Sequence, residues 1–469
     1  MLFNSGVFLF GFLPFFLLLY FRSPNPWRNG ILLSASMVFY AWAEPMFIFW
    51  ALASALFDYR LGMEIANNKS PRLRKILVGI GVTANLALLG WFKYAIFTAN
   101  AIMPLLTSLG ERPFNLPKIV LPIAISFIVF EKITYIVDIY RGSGKPAHNL
   151  TTYLLYVFYF PKLLAGPIIR YCDIEKQLRH RCVNIEDFRA GLVRFISGLG
   201  KKVLIADHVG HYADQAFSLD PALLNCGQAW LGVAAFTFQI YFDFSGYSDM
   251  AIGISQTLGF KLKENFNHPY LATSFTDFWR RWHISLSTWI REYVYIPLGG
   301  SRCSNMRGYA NLYICFMLSG LWHGAAWTFV IWGSLHGIML MIDRAFWLKW
   351  QKHFPIAFNR LVTFWFVMLS WVVFRSQDLP GAAKMFHTLF SPSQSGKIND
   401  LWLSPDIAFA MLAGMVLILL PLIRNASLTS ESIKPWKASA ELAGSLALLL
   451  IVIGRMAVTS FNAFLYFRF

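Results

Sequence analysis

Long apolar runs separated by short polar and basic interruptions set the rhythm of the chain. They fall at about residues 4–21, 30–43, 46–59, 76–98, 119–139, 151–169, 189–206, 229–257, 309–320, 325–343, 359–374, 407–423 and 440–456. A helix needs about 20 mostly apolar residues to cross a bilayer, so each run is a candidate span. Several are too short to cross squarely and are expected to be re-entrant or tilted, which is tolerated where protein or a wet cavity surrounds the backbone. The pattern predicts an all-α, polytopic integral membrane protein with about eleven transmembrane helices plus short re-entrant or interfacial ones. No repeat or low-complexity tract divides it, so residues 1–469 read as one membrane-embedded domain. Only 391–400 (Ser-Pro-Ser-Gln-Ser-Gly-Lys-Ile-Asn-Asp) reads as a loose surface loop. The first run, from Met1-Leu-Phe-Asn-Ser-Gly-Val, lacks a basic leader and an A-x-A cleavage site, and is expected to be a retained span.

One segment breaks this rhythm. Ser274-Phe-Thr-Asp277 carries the signature of a helix start. At helical spacing Phe275, Trp279, Trp282, Leu286, Trp289, Ile290 and Tyr293 then share one face, and Asp277, Arg280, Arg281, Ser285, Arg291 and Glu292 the other. An amphipathic helix over 274–293 suits an interface or a cavity wall better than lipid.

Composition agrees with the membrane reading. Hydrophobic residues make up 57% of the chain and charged residues 14%, against roughly 25% charge in soluble domains. Mean hydropathy is +0.50. The net charge of +17 comes with no nucleic-acid motif and fits Lys and Arg in cytoplasmic loops. Arg22 and Arg28 lie in one early loop; Arg60, Lys69, Arg72, Arg74 and Lys75 lie in another, against Glu64 alone. Two runs separate these loops, so both are cytoplasmic and the N-terminus is periplasmic. Residues 170–202 hold eight Lys and Arg, readable as a loop near anionic lipid headgroups or as an attraction for an anionic donor. The five cysteines show no CxxC spacing and form no disulfide framework.

Candidate chemistry gathers between about residues 240 and 340. Ionisable groups at membrane depth are costly and mark function by default. His283 lies at the edge of the apolar stripe, where it either turns inward to a reaction or completes a polar network. His323 sits in Ser319-Gly-Leu-Trp-His-Gly-Ala-Ala-Trp327, a stretch without charge. A neutral imidazole there can take a proton from a hydroxyl attacking a thioester, or can be a satisfied core histidine. His336, between apolar neighbours, reads as structural. Other templates fail: Met250 stands where a G-x-S-x-G elbow needs glycine, Gly142-Ser-Gly-Lys145 is not a P-loop, and Gly79-Ile-Gly81 reads as helix packing. The spacing of the three histidines matches no metal site.

Several long motifs in this chain are specific. Tyr241-Phe-Asp-Phe-Ser-Gly-Tyr-Ser-Asp-Met-Ala-Ile-Gly253, Glu264-Asn-Phe-Asn267, Phe278-Trp-Arg-Arg-Trp-His-Ile-Ser-Leu-Ser-Thr-Trp289 and Leu321-Trp-His-Gly324 resemble the membrane-bound O-acyltransferase family. Phe39-Tyr-Ala-Trp42, Ala165-Gly-Pro167 and Tyr466-Phe-Arg-Phe469 look like its bacterial, polysaccharide-acetylating branch, typified by alginate O-acetylation. The resemblance implies a helical bundle around a central funnel, with the family's invariant histidine at His323 and its second polar position at His283. It implies acetyl-CoA as donor, with Trp322, Arg280, Arg281 and Asp243 as candidate contacts to it. It also implies a periplasmic acetyltransferase partner of the SGNH-hydrolase-like class, polysaccharide modification and export machinery around it, and the bacterial inner membrane as location. Cellulose is an alternative polymer to alginate. A transporter or flippase using the histidines as a proton relay is the rival of another class.

Overall fold

Local capping chemistry starts many of the helices that the apolar runs announce. Ser70 accepts a hydrogen bond from the Leu73 N–H with Pro71 in the first turn, Asn149 from Thr152, Ser304 from Arg307 and Asp378 from Gly381. The computed structural model describes residues 1–110, 116–391, 403–423, 435–458 and 464–465, and every regular element among them is helical. Residues 392–400 of the expected loop, and the Tyr466–Phe469 motif, lie outside the described residues. Each of the thirteen apolar runs overlaps helix, including Asn25–Ala43, Phe47–Asn67, Cys226–Thr257, Asn305–His323 and Ile356–Arg375, though the run at 119–139 turns helical only at Ile125 and the run at 151–169 leaves helix after Leu163.

Among the described residues five helices are long and apolar enough to cross a membrane: Pro71–Ser108, Trp327–His353, Ile356–Arg375, Pro405–Leu422 and Trp436–Val458. Phe10, Trp50, Phe409 and Leu450 are 62% to 72% exposed, large apolar side chains that suit lipid rather than water. The protein is thus an all-helical membrane protein. Its contacts divide it into two compact units, Met1–Phe188 with Ile254–Lys263, and Arg189–Gly253 with Glu264–Phe469.

In the first unit the Ile125–Arg141 helix is almost wholly buried. A Cβ on Gly62 would lie 2.4 Å from the Tyr135 ring, and one on Gly81 2.5 Å from Leu61 and 2.6 Å from Ile136. The packing expected of Gly79-Ile-Gly81 therefore rests on Gly81; Gly79 faces open space. Two ion pairs are buried here. Lys132 Nζ lies 3.1 Å from Asp58 Oδ2, and Asn85 Nδ2 donates to both Asp58 oxygens and to the Gly81 carbonyl. Lys162 pairs with Glu131 and stands 4.4 Å over the Tyr156 ring.

In the second unit small residues let helices approach backbone to backbone. A Cβ on Gly198 would meet the Gly246 carbonyl at 2.5 Å, and one on Gly253 the Gly191 carbonyl at 2.6 Å. The Asn305–His323 and Trp327–Ile342 helices meet at Gly320, where a Cβ would fall 2.2 Å from the Phe329 carbonyl and 2.9 Å from Gly333 Cα.

The basic zone at 170–202 is not a free cationic loop, because much of its charge is met by protein carboxylates. Arg170 binds Asp173 through two hydrogen bonds, at 2.8 and 2.9 Å, and Arg179 holds Glu175 at 3.0 Å. In the second unit Arg194 bridges Asp249 and Glu264, and Lys201 holds Asp249 at 2.7 Å. Lys202, 4% exposed, joins Asp207 at 2.7 Å and Asp243 at 2.6 Å. Asp243, Asp249 and Glu264 are remote in sequence from these cations, so local charge counting overstates the zone.

Candidate active site

The segment 274–293 begins as its sequence says. Ser274 Oγ accepts the Asp277 N–H at 3.1 Å, and Asp277 Oδ2 accepts the Thr273 N–H at 3.1 Å. The helix then stops. Phe275–Arg281 and Ile284–Ile290 are separate helices, broken by extended Trp282 and by His283 at φ 43°, ψ 52°. The expected continuous helix is therefore two short ones. A left-handed residue other than glycine costs roughly 1–2 kcal/mol, and the neighbouring segment offsets that cost. The Asn267 N–H donates to the Arg281 carbonyl at 2.9 Å, and the Ile284 N–H donates to the Asn265 carbonyl at 2.9 Å.

Asn265 also determines the state of the His283 ring. Its Oδ1 lies 3.2 Å from the Ser285 backbone N–H, 2.9 Å from Ser285 Oγ and 3.2 Å from His283 Nδ1. A backbone N–H can only donate, so this amide atom is oxygen, and the Nδ1 facing it carries the proton. Asn265 Nδ2 donates in turn to Ser248 Oγ at 3.2 Å, which anchors the amide to the Cys226–Thr257 helix. His283 Nε2 is left as the basic nitrogen, and it has no hydrogen-bond partner among the described residues. The ring is fully buried, and desolvation pushes its pKa down to about 3, so it stays neutral at physiological pH.

His323 is the last residue of the Asn305–His323 helix and is 5% exposed. Its ring centroid lies 6.2 Å from that of His283. Trp322 borders both rings, at 6.0 Å from His283 and 5.1 Å from His323. Phe244 lies edge-on to His283 at 4.7 Å, and Trp332 and Phe374 stand against His323 at 5.3 and 5.6 Å. Two imidazoles are thus held in an aromatic enclosure whose low polarity strengthens any proton transfer or charge development inside it.

His336 differs. Its Nδ1 accepts from Trp279 Nε1 at 3.2 Å, so its Nε2 donates to Ser370 Oγ at 3.0 Å, and Ser370 passes its own proton to the Val367 carbonyl. Both ring nitrogens are committed to the packing of the helices. Of the other candidates, Trp322 is brought to the histidines. Arg280 is exposed, Arg281 is paired with Asp277 at 2.8 Å, and Asp243 is buried against Lys202 while accepting the Leu465 N–H at 2.7 Å. Asn265 lies inside the Glu264-Asn-Phe-Asn267 motif, which by itself assigns it no role. Two amides, Asn265 and Asn267, in a polar insert between apolar runs are the available signal. Ser248 and Ser285, which complete the network, gave none.

Residues 145–378 match the profile of the MBOAT, membrane-bound O-acyltransferase family. A probable alginate O-acetylase of Pseudomonas aeruginosa is 46% identical over 83% of this chain and 75% of its own length. One from Pseudomonas putida is 42% identical over 100% of both chains. A peptidoglycan O-acetyltransferase of Helicobacter pylori is 34% identical over 100% of this chain and 98% of its own. Together with the paired histidines, these likenesses have one meaning: the chain belongs to the membrane-bound O-acyltransferase family and is an O-acyltransferase.

Proposed function

We propose that this enzyme takes an acetyl group from acetyl-CoA on the cytoplasmic side of a bacterial inner membrane and passes it outward for O-acetylation of an exopolysaccharide, alginate first. The alginate O-acetylases at 42% to 46% identity support that polymer. The peptidoglycan relative at 34% supports the same chemistry on another envelope polymer, cellulose included, as the second reading.

The observation that carries the mechanism is the pair of buried rings 6.2 Å apart, one with its tautomer fixed by Asn265. His323 removes the proton from the acceptor hydroxyl as its oxygen attacks the thioester carbonyl. The tetrahedral intermediate collapses, the carbon–sulfur bond breaks, and the imidazolium returns its proton to the CoA thiolate. His283, neutral and basic at Nε2, orients the acceptor or shares that proton. Trp322 walls the site, and Arg280, with no ion pair among the described residues, is the candidate on this segment for a donor phosphate.

In this reading the whole chain is one membrane domain of about eleven spans, with its N-terminus periplasmic and its short helices around a funnel. A membrane-embedded site admits one hydroxyl but not a long polymer. The immediate acceptor is therefore a periplasmic partner protein of the SGNH-hydrolase-like class within the polysaccharide modification machinery. Membership of an acyltransferase family sets aside the proton-relay transporter. The test is acetyl-CoA turnover by purified, detergent-solubilised protein. Turnover present in the wild type and absent in His323→Ala upholds the reading; equal turnover in both removes it.

A further inference from the structure

The first unit holds a cavity of about 320 Å³ lined by Arg28, Arg179, His180 and Arg181, with Tyr20 and Asn29 behind them. No carboxylate lines it among the described residues. Arg181 is fixed entirely by neutral groups. Its Nε and Nη2 donate to the Tyr20 hydroxyl at 3.1 and 2.9 Å, and its Nη1 donates to Asn29 Oδ1 at 2.7 Å. The guanidinium face lies 4.4 Å from the Phe260 ring centroid. Arg28 reaches the same tyrosine, 5.4 Å from its centroid, and donates to the Ser23 carbonyl. Neither Arg28 nor Arg181 has an ion pair among the described residues, whereas Arg170 and Arg179 of the same unit do.

Two guanidiniums thus converge on one ring inside a concavity, each immobilised and neither neutralised. Like charges so placed repel, and an anion between them relieves the repulsion. Planar guanidiniums with free N–H groups match the oxygens of a phosphate. The volume is at the lower end of the range for small-molecule sites, which begins at about 300 Å³.

We propose that this cavity binds a phosphate group, carried by a soluble nucleotide or by an anionic phospholipid headgroup. The site lies in the first unit and needs none of the histidine chemistry. Cys182 lines the same cavity and is exposed, so its thiol reports occupancy directly.

The experiment follows alkylation of Cys182 by peptide mass spectrometry on the full-length protein in nanodiscs. One arm adds adenosine 3′,5′-bisphosphate to phosphatidylcholine discs; the other replaces phosphatidylcholine with phosphatidylglycerol. At ligand about ten times its Kd, labelling slows about tenfold. Protection by the bisphosphate assigns a nucleotide, and protection by phosphatidylglycerol alone assigns a lipid. Either effect disappears in Arg28→Gln, which loses the hydrogen bond to the Ser23 carbonyl, and in Arg181→Gln, each confirmed monodisperse. Unchanged labelling in both arms, or protection that survives Arg28→Gln, overturns the proposal.

Discussion

The two units bury polar groups in different ways. In the first, Asp58, Lys132 and Asn85 close on one another, and Glu131 closes on Lys162. The second buries an ion cluster too, Lys202 with Asp207 and Asp243, but it also buries imidazoles whose hydrogen bonding is uneven. His336 has both nitrogens engaged, whereas His283 has one engaged and one held ready. The rule that an ionisable residue at membrane depth marks function would select all of them. Counting partners separates them. A buried charge needs a countercharge merely to exist there, while a neutral base with an oriented lone pair is poised for a reaction.

The comparison breaks first at His323. Alanine there is expected to lower acetyl-CoA turnover about a hundred- to ten-thousandfold, the range of a positioned general base, with the melting temperature in detergent little changed. Asp58→Ala should show the reverse behaviour. It leaves Lys132 buried and uncompensated at a cost of about 3–5 kcal/mol, read as a large fall in thermal stability with normal turnover per folded molecule. Asn265→Asp sharpens the account of His283. A carboxylate against Nδ1–H favours the imidazolium, so the pKa rises from about 3. Turnover should then acquire an additional acidic limb, falling as pH drops through the raised value, that the wild type lacks. The smallest effect is expected from Ser370→Ala, which removes the acceptor of His336. About 1 kcal/mol of stability should be lost, with turnover within about twofold of wild type.

The sequence made the helices legible because apolar runs and capping residues are local. Ser274 starts its helix as its spacing to Asp277 says, and Gly81 packs a helix crossing as a small residue in a span should. The break at His283 was not legible. A left-handed histidine inside a helical amphipathic pattern is held there by Asn265 and Asn267, and those bonds exist only once two segments meet. Burial of Lys202 was hidden for a related reason, since Asp243, one of its two partners, lies 41 positions on in the chain. The candidacy of His323 rests on Leu321-Trp-His-Gly324, a short motif that is weak by itself and gains weight from the longer motifs around it, while the role of Asn265 shows only once its side chain meets His283 and Ser285.

The measurement that tests the central claim most directly is a double-mutant cycle on acetyl-CoA turnover, with His283→Ala, His323→Ala and the two combined. Groups that share one proton act as a unit, and their losses do not multiply. The account predicts that the double variant is no slower than His323→Ala alone. Losses that multiply, or a His283→Ala enzyme with full activity, would contradict it.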